Sequence, residues 1–327
     1  MALLNSLLHL TNFRNPFLRT LVPSVATAFA IQGAVAVPSI LAQSERFYDL
    51  SGSLTYLSVT ALSLYLPTLR ARAASPIKPP FPSLLAAFTG TGGPHGLNWR
   101  QVVLSTAVSI WATRLGTYLF QRILSDGHDS RFDEIKKSPP KFFGAWMAQA
   151  TWVSLCLLPV LAVNSIPHPL LSTLPLVTLT DVLGLGLFVG GLTFEVIGTT
   201  LWTGLAVTSF GILRARGAGV SVNGVSAFAL CAVSPAFVTF LLLKVSGVPL
   251  SEKKYDERYG DRTEYRAWKE LVPAWSAKPY SHVLVHTVVR LLPSHPIITL
   301  PAGPKAGVGA SGHRASGIGG QVPGLRV

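Results

Sequence analysis

Six long apolar blocks constrain this sequence more than any other feature. Each is close to or longer than the roughly 20 helical residues that cross the hydrocarbon core of a bilayer. A backbone surrounded by lipid has to satisfy its own hydrogen bonds, so blocks of this length predict helices rather than strands. The blocks are Leu21–Ala42, Leu50–Leu69, Val102–Leu124, Phe143–Val163, Val182–Leu213 and Val225–Leu243.

The composition agrees with a membrane protein. Only 13% of the 327 residues are charged, whereas soluble domains carry about 25%. The charge is missing mainly from the six blocks, which is typical of membrane spans rather than of a large soluble core. We therefore predict an all-α fold, a polytopic transmembrane helical bundle of six to seven spans.

The net charge of +13 and the pI of about 10.1 indicate which partners to expect. The basic residues lie in short loops and tails, not in a basic stripe on a soluble domain, so we predict no nucleic-acid partner. Membrane lipids with anionic headgroups, and anionic small ligands, are the predicted partners. Cys156 and Cys231 lie inside apolar blocks, which predicts packed hydrophobic side chains rather than a disulfide framework.

Changes in composition divide the chain into three parts. Residues 1–20 form an N-terminal segment, and residues 21–280 contain the apolar blocks of the membrane domain. Residues 281–327 are rich in glycine and of low complexity, so we expect a disordered tail.

The fifth block contains about thirty residues and one ionisable group, Glu195. As a single helix it would be roughly 45 Å long, against a hydrocarbon core of about 30 Å. Two spans would each have only about fifteen residues, and their turn would bring backbone groups near lipid. These lengths favour one long helix with a kink near Gly198. Gly186 and Gly190 are predicted to form a face for close helix packing.

A single span at this point has a consequence for topology. It would place the charged loop 121–141 and the polar, aromatic-rich segment 253–275 on opposite faces of the membrane. No pocket could then be shared between the loop and the segment.

Ionisable groups within the apolar blocks are candidates for function, since burying a charge in a membrane is costly. Arg114 lies in the third block, and Glu195 is its candidate partner. Two interpretations remain open for both residues, namely a structural ion pair and a functional site. His282 and His286 have the spacing of metal ligands on a helix but no accompanying carboxylate motif, so no metal site is predicted.

Several segments together resemble one family. They are "SERFYDLSGSLTYLSVTALSLYL", "IWATRLGTYLFQRILSDGHDSRFDEIKKSPPKFFGAWMAQATWVSLCLLPV", "TLWTGLAV" and "SPAFVTFLLLKVSGVPLSEKKYDERYGDRTEYRAWKELVPAW". The chain is identified as a member of an uncharacterised group of integral membrane proteins related to the steroid 5-alpha-reductases through their C-terminal domain. The resemblance extends over residues 44–275.

The resemblance implies a seven-helix bundle of the steroid reductase and isoprenylcysteine methyltransferase type. It also implies a membrane location, for example in the endoplasmic reticulum, NADPH as cofactor and reduction of a C=C bond in a lipid-like enone. NADPH would supply the hydride, while the protein would supply position and electrostatics. By this resemblance Glu195 is the candidate catalytic residue. The candidate cofactor-binding residues are Arg114, Arg122, Asp129, Arg131, Tyr255, Tyr265 and Trp268.

One part of the family pattern is missing from this chain. Family members carry a polar stretch between "FEVIG" and "TLWTGL" that ends in a signature like GLWxxSRHPNYFGE, whereas here Gly198 is followed directly by Thr199. The missing stretch holds much of the cofactor-binding equipment, which predicts an inactive form of the reductase. Two alternatives remain, an S-adenosylmethionine-dependent methyltransferase of the same bundle type and a non-enzymatic scaffold or lipid-binding protein.

Overall fold

The computed structural model describes Ser6 and residues 8–76, 78–89, 96–194, 198–215, 224–245 and 255–266. Within these residues the chain is helical and contains no β-strand. The predicted tail at 281–327 lies outside the described residues.

Seven long helices occupy the described ranges. Their bounds are α1 Pro16–Leu41, α2 Tyr48–Ala74, α3 Trp99–Asp126, α4 Pro139–Asn164, α5 Leu179–Phe194, α6 Gly198–Ala215 and α7 Gly224–Phe240, the last continued by a π-helical turn at Leu241–Val245. Shorter helices lie at Ala86–Thr89, Ser130–Phe132 and His168–Leu171, and two more at 255–259 and 263–266.

Local sequence explains several helix ends. The side chain of Asn15 accepts a hydrogen bond from Phe17 N at 2.9 Å and so caps α1. At the start of α3, Asn98 caps the Arg100 N–H while the Gln101 side chain accepts from Asn98 N at 3.1 Å, which completes a capping box. Gly127 ends α3 in the left-handed conformation that glycine adopts most easily, with φ at 79°.

The helices run antiparallel to their neighbours in sequence, and α4 lies at the centre against α1, α2, α6 and α7. The bundle therefore has two ends. The Asp129 end is where α1 and α3 finish and α2 and α4 begin. The Arg70 end is where α2 and α4 finish and where α1, α3 and α5 begin.

The fifth apolar block forms a helical hairpin, so the prediction of one long kinked helix is wrong. Its halves, α5 and α6, lie antiparallel in close contact. A Cβ added to Gly204 would lie 2.5 Å from the backbone O of Gly184 and the backbone N of Phe188. Nearer the tip, a Cβ on Gly191 would lie 2.7 Å from the backbone N of Leu201.

Glycine allows this hairpin because it lets two helix backbones approach closely, which is a main source of helix association in lipid. The prediction named the wrong glycines. Gly186 and Gly190 have no described atom within 4 Å of an added Cβ, so they face away from the partner helix. The contact face follows a seven-residue spacing and consists of Gly184, Gly191, Gly204 and Gly211.

The hairpin also reverses the predicted topology. The rings of Phe210, near the end of α6, and Phe228, near the start of α7, lie 6.0 Å apart, so α7 starts at the Arg70 end. It therefore finishes at the Asp129 end, where the charged loop lies. The single span that was expected to put the charged loop 121–141 and the segment 253–275 on opposite faces is therefore contradicted. Residues 255–266 follow α7 after a stretch outside the described residues.

Three of the described helices are long and apolar enough to cross a membrane, namely α1, α4 and Gly224–Val245. They indicate a membrane-embedded protein. The core around α4 contains an aromatic cluster in which Tyr56 packs 5.1 Å from the ring of Trp111 and 5.9 Å from the rings of Trp152 and Trp202. This cluster joins α2, α3, α4 and α6. Cys156 and Cys231 are buried and unpaired with each other, as predicted.

We expect Gly204→Ala to destabilise the hairpin, because the new methyl group would collide with the backbone of α5. Overpacking of this kind costs about 1–3 kcal/mol. Gly186→Ala is the matched control. It adds the same methyl group where space is open, and the better helix propensity of alanine should leave stability unchanged or raise it by up to about 1 kcal/mol. Chemical unfolding in detergent measures both changes, and equal effects of the two substitutions would contradict the observed packing.

Candidate functional site

The charged loop after α3 brings together three of the predicted cofactor residues. Gly127 turns the chain, and Asp129 follows it. Its carboxylate accepts hydrogen bonds from Arg131 N at 3.0 Å and from Arg131 Nε at 2.9 Å. The guanidinium of Arg122, on the last turns of α3, lies 3.4 Å from the same carboxylate. The loop thus forms a compact ion-pair cluster.

A second aspartate, Asp49 in the first turn of α2, joins this cluster. Its carboxylate lies 3.6 Å from Arg122 Nη2 and 3.5 Å from Arg131 Nη2. Each arginine is therefore bridged between two aspartates. We call Asp49, Arg122, Asp129 and Arg131 the aspartate–arginine cluster.

Glu45, between α1 and α2, binds the charged loop through Asp129 and Lys136. Only 7% of its surface is exposed. One carboxylate oxygen accepts from Asp129 N at 3.1 Å, and the other lies 3.1 Å from Lys136 Nζ. The structure thereby ties the start of α2 to both ends of the loop.

Asp129 and Glu45 keep their negative charge for similar reasons. Burial acts to raise the pKa of Asp129, but hydrogen bonds and charge from Arg131, with help from Arg122, outweigh it and lower the pKa. Burial likewise acts to raise the pKa of Glu45, and hydrogen bonds from the Asp129 backbone and from Lys136 lower it overall. The hydrogen bond to Glu45 raises the pKa of Lys136.

This arrangement does not fit the phosphates of NADPH. An arginine binds a phosphate most strongly through charge-assisted, often bidentate hydrogen bonds, for which its donors have to be available. Here both guanidinium groups already contact Asp49 and Asp129, so the positive and negative charges of the cluster balance. A phosphate would have to displace carboxylates that the fold holds in place.

Three other predicted cofactor residues, Arg114, Tyr255 and Tyr265, are among the described residues. Arg114 is exposed on α3, about 12 Å along the helix axis from Arg122 at 1.5 Å per residue. Tyr255 is 52% exposed, and Tyr265 donates a hydrogen bond to Asp256 at 2.9 Å. Glu195, and with it the Arg114–Glu195 pair, lies outside the described residues. So do Trp268, His282 and His286, and no metal-binding group occurs in the part that the structure describes.

Sequence reasoning missed Glu45, Asp49 and Lys136. Lys136 lies in the same charged loop, so its proximity to Asp129 and Arg131 could have been predicted from the sequence. Glu45 and Asp49 are more than 70 residues from their partners in the loop, and only the antiparallel order of α1, α2 and α3 brings them there. The segment "SERFYD", which leads into the first turn of α2, was the available signal.

A buried ion pair at the Arg70 end was also missed. Arg100 and Asp181 are 2% and 1% exposed, and Arg100 Nη2 lies 2.7 Å from the carboxylate. Arg100 also donates to the Pro175 carbonyl at 2.7 Å, and Asp181 accepts from Thr178 N at 2.9 Å. The pair joins the start of α3 to the start of α5 and has its hydrogen bonds satisfied, as a buried pair requires.

The Arg70 end also contains a cavity of about 620 Å³. It lies between the segment before α1, the first turns of α1, the last turns of α2 and the residues after α4. We call it the Arg70 cavity. Its polar lining includes His9, Arg19 and Arg70, and its apolar lining includes Leu8, Leu66 and Ala71.

Comparison with known families assigns the chain to one of them. The model of a family described as "Protein of unknown function (DUF1295)" matches residues 77–203 and 218–272, more than half of the 327-residue chain. The chain belongs to the DUF1295 family. The DUF1295 match covers Arg122, Asp129 and Arg131, whereas Glu45, Asp49 and the helices that enclose the Arg70 cavity lie before it. Searches of curated proteins and of solved structures give no match.

We expect Asp129→Asn to lower the free energy of unfolding at pH 7 by about 1 kcal/mol, because two partly exposed arginines lose a shared charge. The lowered pKa means that the carboxylate stabilises the fold above the ordinary aspartate pKa of about 3.9. That contribution disappears as the pH falls through the lowered value. The difference from wild type should therefore shrink below about pH 4.

Asp126→Asn is the matched control, since Asp126 is an exposed residue of the same loop. We expect a change below about 0.5 kcal/mol. Chemical unfolding in detergent at several pH values measures both substitutions. An Asp129→Asn effect that persists unchanged at acid pH would argue against a charge-based role.

Proposed function

We propose that this protein is a membrane-embedded, lipid-binding member of the DUF1295 family that does not act as a reductase. The observation that carries the proposal is the Arg70 cavity, whose volume of about 620 Å³ falls within the usual 300–1,000 Å³ of ligand sites. It lies at one end of a bundle with three span-length apolar helices. Lipids are the ligands most available to a cavity in that position.

The charge balance of the aspartate–arginine cluster supports the second half of the proposal. Arg122, Asp129 and Arg131 are three of the six described residues that the family resemblance assigns to NADPH. Their positive charges are compensated by Asp49 and Asp129. With the GLWxxSRHPNYFGE-like stretch also missing, we propose that the bundle was retained without the cofactor site.

A second candidate is the NADPH-dependent reduction of a lipid-like enone. One observation favours it, the direction of α7. Because α7 finishes at the Asp129 end, the aromatic segment that contains Tyr255 and Tyr265 follows from the end where Asp129 and Arg131 lie. The topological argument against a shared pocket therefore no longer applies. A methyltransferase using S-adenosylmethionine has no comparable observation in its favour.

We further propose that all seven long helices cross the membrane, in agreement with the bundle that the resemblance implies. The antiparallel packing supports this, since helices that share a core with α4 share its orientation to within a crossing angle. The endoplasmic reticulum is the proposed location, by resemblance to the reductase-like proteins.

This topology predicts which loops share a side of the membrane. Cysteines introduced at Glu134→Cys, in the charged loop, and Lys244→Cys, at the end of α7, should be labelled from the same side of sealed vesicles. Thr173→Cys, between α4 and α5, should be labelled only from the other side. The native cysteines are buried and should give a low background. Labelling of Glu134→Cys and Lys244→Cys from opposite sides would refute the hairpin as a membrane-crossing unit.

For the cofactor, we expect NADPH to bind this chain more weakly than micromolar. Hydrogen bonds to charged groups contribute about 1.5–3 kcal/mol each, and several such partners are missing or already neutralised. Calorimetric titration of the purified protein with NADPH, and in parallel with S-adenosylmethionine, measures this. Micromolar or tighter binding of NADPH would overturn the proposal in favour of the reductase, and tight binding of S-adenosylmethionine would favour the methyltransferase.

A further inference from the structure

We propose that the Arg70 cavity selects an anionic amphiphile, with the negative headgroup beside Arg19 and Arg70 and the acyl chain along the apolar wall. This inference rests on the proposed lipid-binding function and names the ligand class and the residues that would select it. Neither residue was singled out by the sequence, and both lie before the DUF1295 match.

The guanidinium of Arg70 is held by neutral hydrogen-bond acceptors. Its guanidinium donates to the carbonyl of Leu8, to the carbonyl and hydroxyl of Thr11 at 3.0 and 2.8 Å, and to the carbonyl of Arg19 at 3.0 Å. All of these acceptors are neutral. The hydrogen bonds fix the group in place and hold the rim of the cavity, but they leave its positive charge uncompensated.

A second cation, Arg19, faces the same cavity. Arg19 lines it too, and its Nε donates to the carbonyl of Phe13, again a neutral acceptor. Two like charges around one partly enclosed space repel each other, and an anion between them would relieve this repulsion. The planar fork of a guanidinium also matches a pair of oxygens on a phosphate or a carboxylate.

No carboxylate among the described residues of the cavity lining compensates the charges of Arg19 and Arg70. Among the described residues that line the cavity, none is acidic. The acidic residue found at this end of the described bundle is Asp181, and it is already bound to Arg100. The other described acids lie between residues 45 and 134, at the Asp129 end, or within 255–266. Among the described residues, then, no carboxylate balances Arg19 and Arg70, and an anionic ligand could take that place.

The shape of the cavity separates an amphiphile from a small anion. Leu8, Leu66, Pro67 and Ala71 form an apolar wall next to the two arginines. A volume of about 620 Å³ is far more than one phosphate or carboxylate group fills. A ligand with a charged head and an apolar chain uses both parts of the lining.

The test uses the purified full-length chain in neutral detergent, with binding followed by native mass spectrometry. Three probes are compared: dioleoyl phosphatidic acid, dioleoyl phosphatidylcholine and glycerol 3-phosphate. We expect phosphatidic acid to bind at least about tenfold more tightly than either of the others. Equal binding of the two lipids would overturn headgroup selection. Glycerol 3-phosphate binding as tightly as phosphatidic acid would replace the amphiphile with a soluble anion.

Substitutions assign the effect to the cavity. Arg19→Gln and Arg70→Gln should each reduce the preference for phosphatidic acid about tenfold. The matched control is Arg72→Gln on the same helix, because Arg72 is outside the cavity lining and contacts the Pro79 carbonyl and the Phe81 ring. An equal loss in Arg72→Gln would mean that general surface charge attracts the lipid, which would overturn the proposal.

Arg70→Gln also removes hydrogen bonds that hold the cavity rim, so a second variant keeps the test independent of folding. Ala71→Leu leaves both arginines in place and fills part of the apolar wall. It should weaken phosphatidic acid binding while leaving the unfolding midpoint of the lipid-free protein near that of wild type. Unchanged lipid binding in Ala71→Leu would overturn the location. These outcomes are distinct from failure of the proposed function, which micromolar NADPH binding would show by itself.

Discussion

The buried ion pair between Arg100 and Asp181 fixes the arrangement on which the rest of the bundle depends. Two charges with almost no exposed surface are stable only as a hydrogen-bonded pair, and losing one partner of such a pair costs about 3–5 kcal/mol. The pair holds the start of α5 beside the start of α3. From there the glycine face sets α6 against α5, α6 directs α7, and α7 returns to the Asp129 end.

The two ends of the bundle use arginine in different ways. At the Asp129 end, the positive charges of Arg122 and Arg131 are compensated by aspartates, and these ion pairs connect α2, α3 and the loop. At the other end, Arg19 and Arg70 donate to neutral oxygens beside a cavity, and their charge remains available. Net charge alone hides this difference, because a basic chain can hold its cations either in closed networks or beside an open space. The location of the carboxylates decides which end can attract an anion.

Much of the architecture followed from the apolar blocks, since length and composition predict helices in lipid whatever their neighbours are. The contacts within one loop, Asp129 with Arg131 and Arg122, were also near enough in sequence to be predicted together. The hairpin could not be predicted from the number of residues per span, because it depends on close backbone contacts at Gly184 and Gly204. Asp49 was missed because its contacts depend on helix order. The roles assigned to Glu195 and Trp268 remain predictions.

The length of the described hairpin can be compared with the hydrocarbon thickness of different membranes. The described parts of α5 and α6 have 16 and 18 residues and measure about 24 and 27 Å at 1.5 Å per residue. The hydrocarbon core of the endoplasmic reticulum is about 27 Å thick, and that of the plasma membrane is about 32–33 Å. A crossing hairpin of this length would have to thin the thicker membrane around it. The helices α1 to α4, with 26 to 28 residues each, are longer than the described parts of the hairpin, so the two sets of helices would match different hydrocarbon thicknesses.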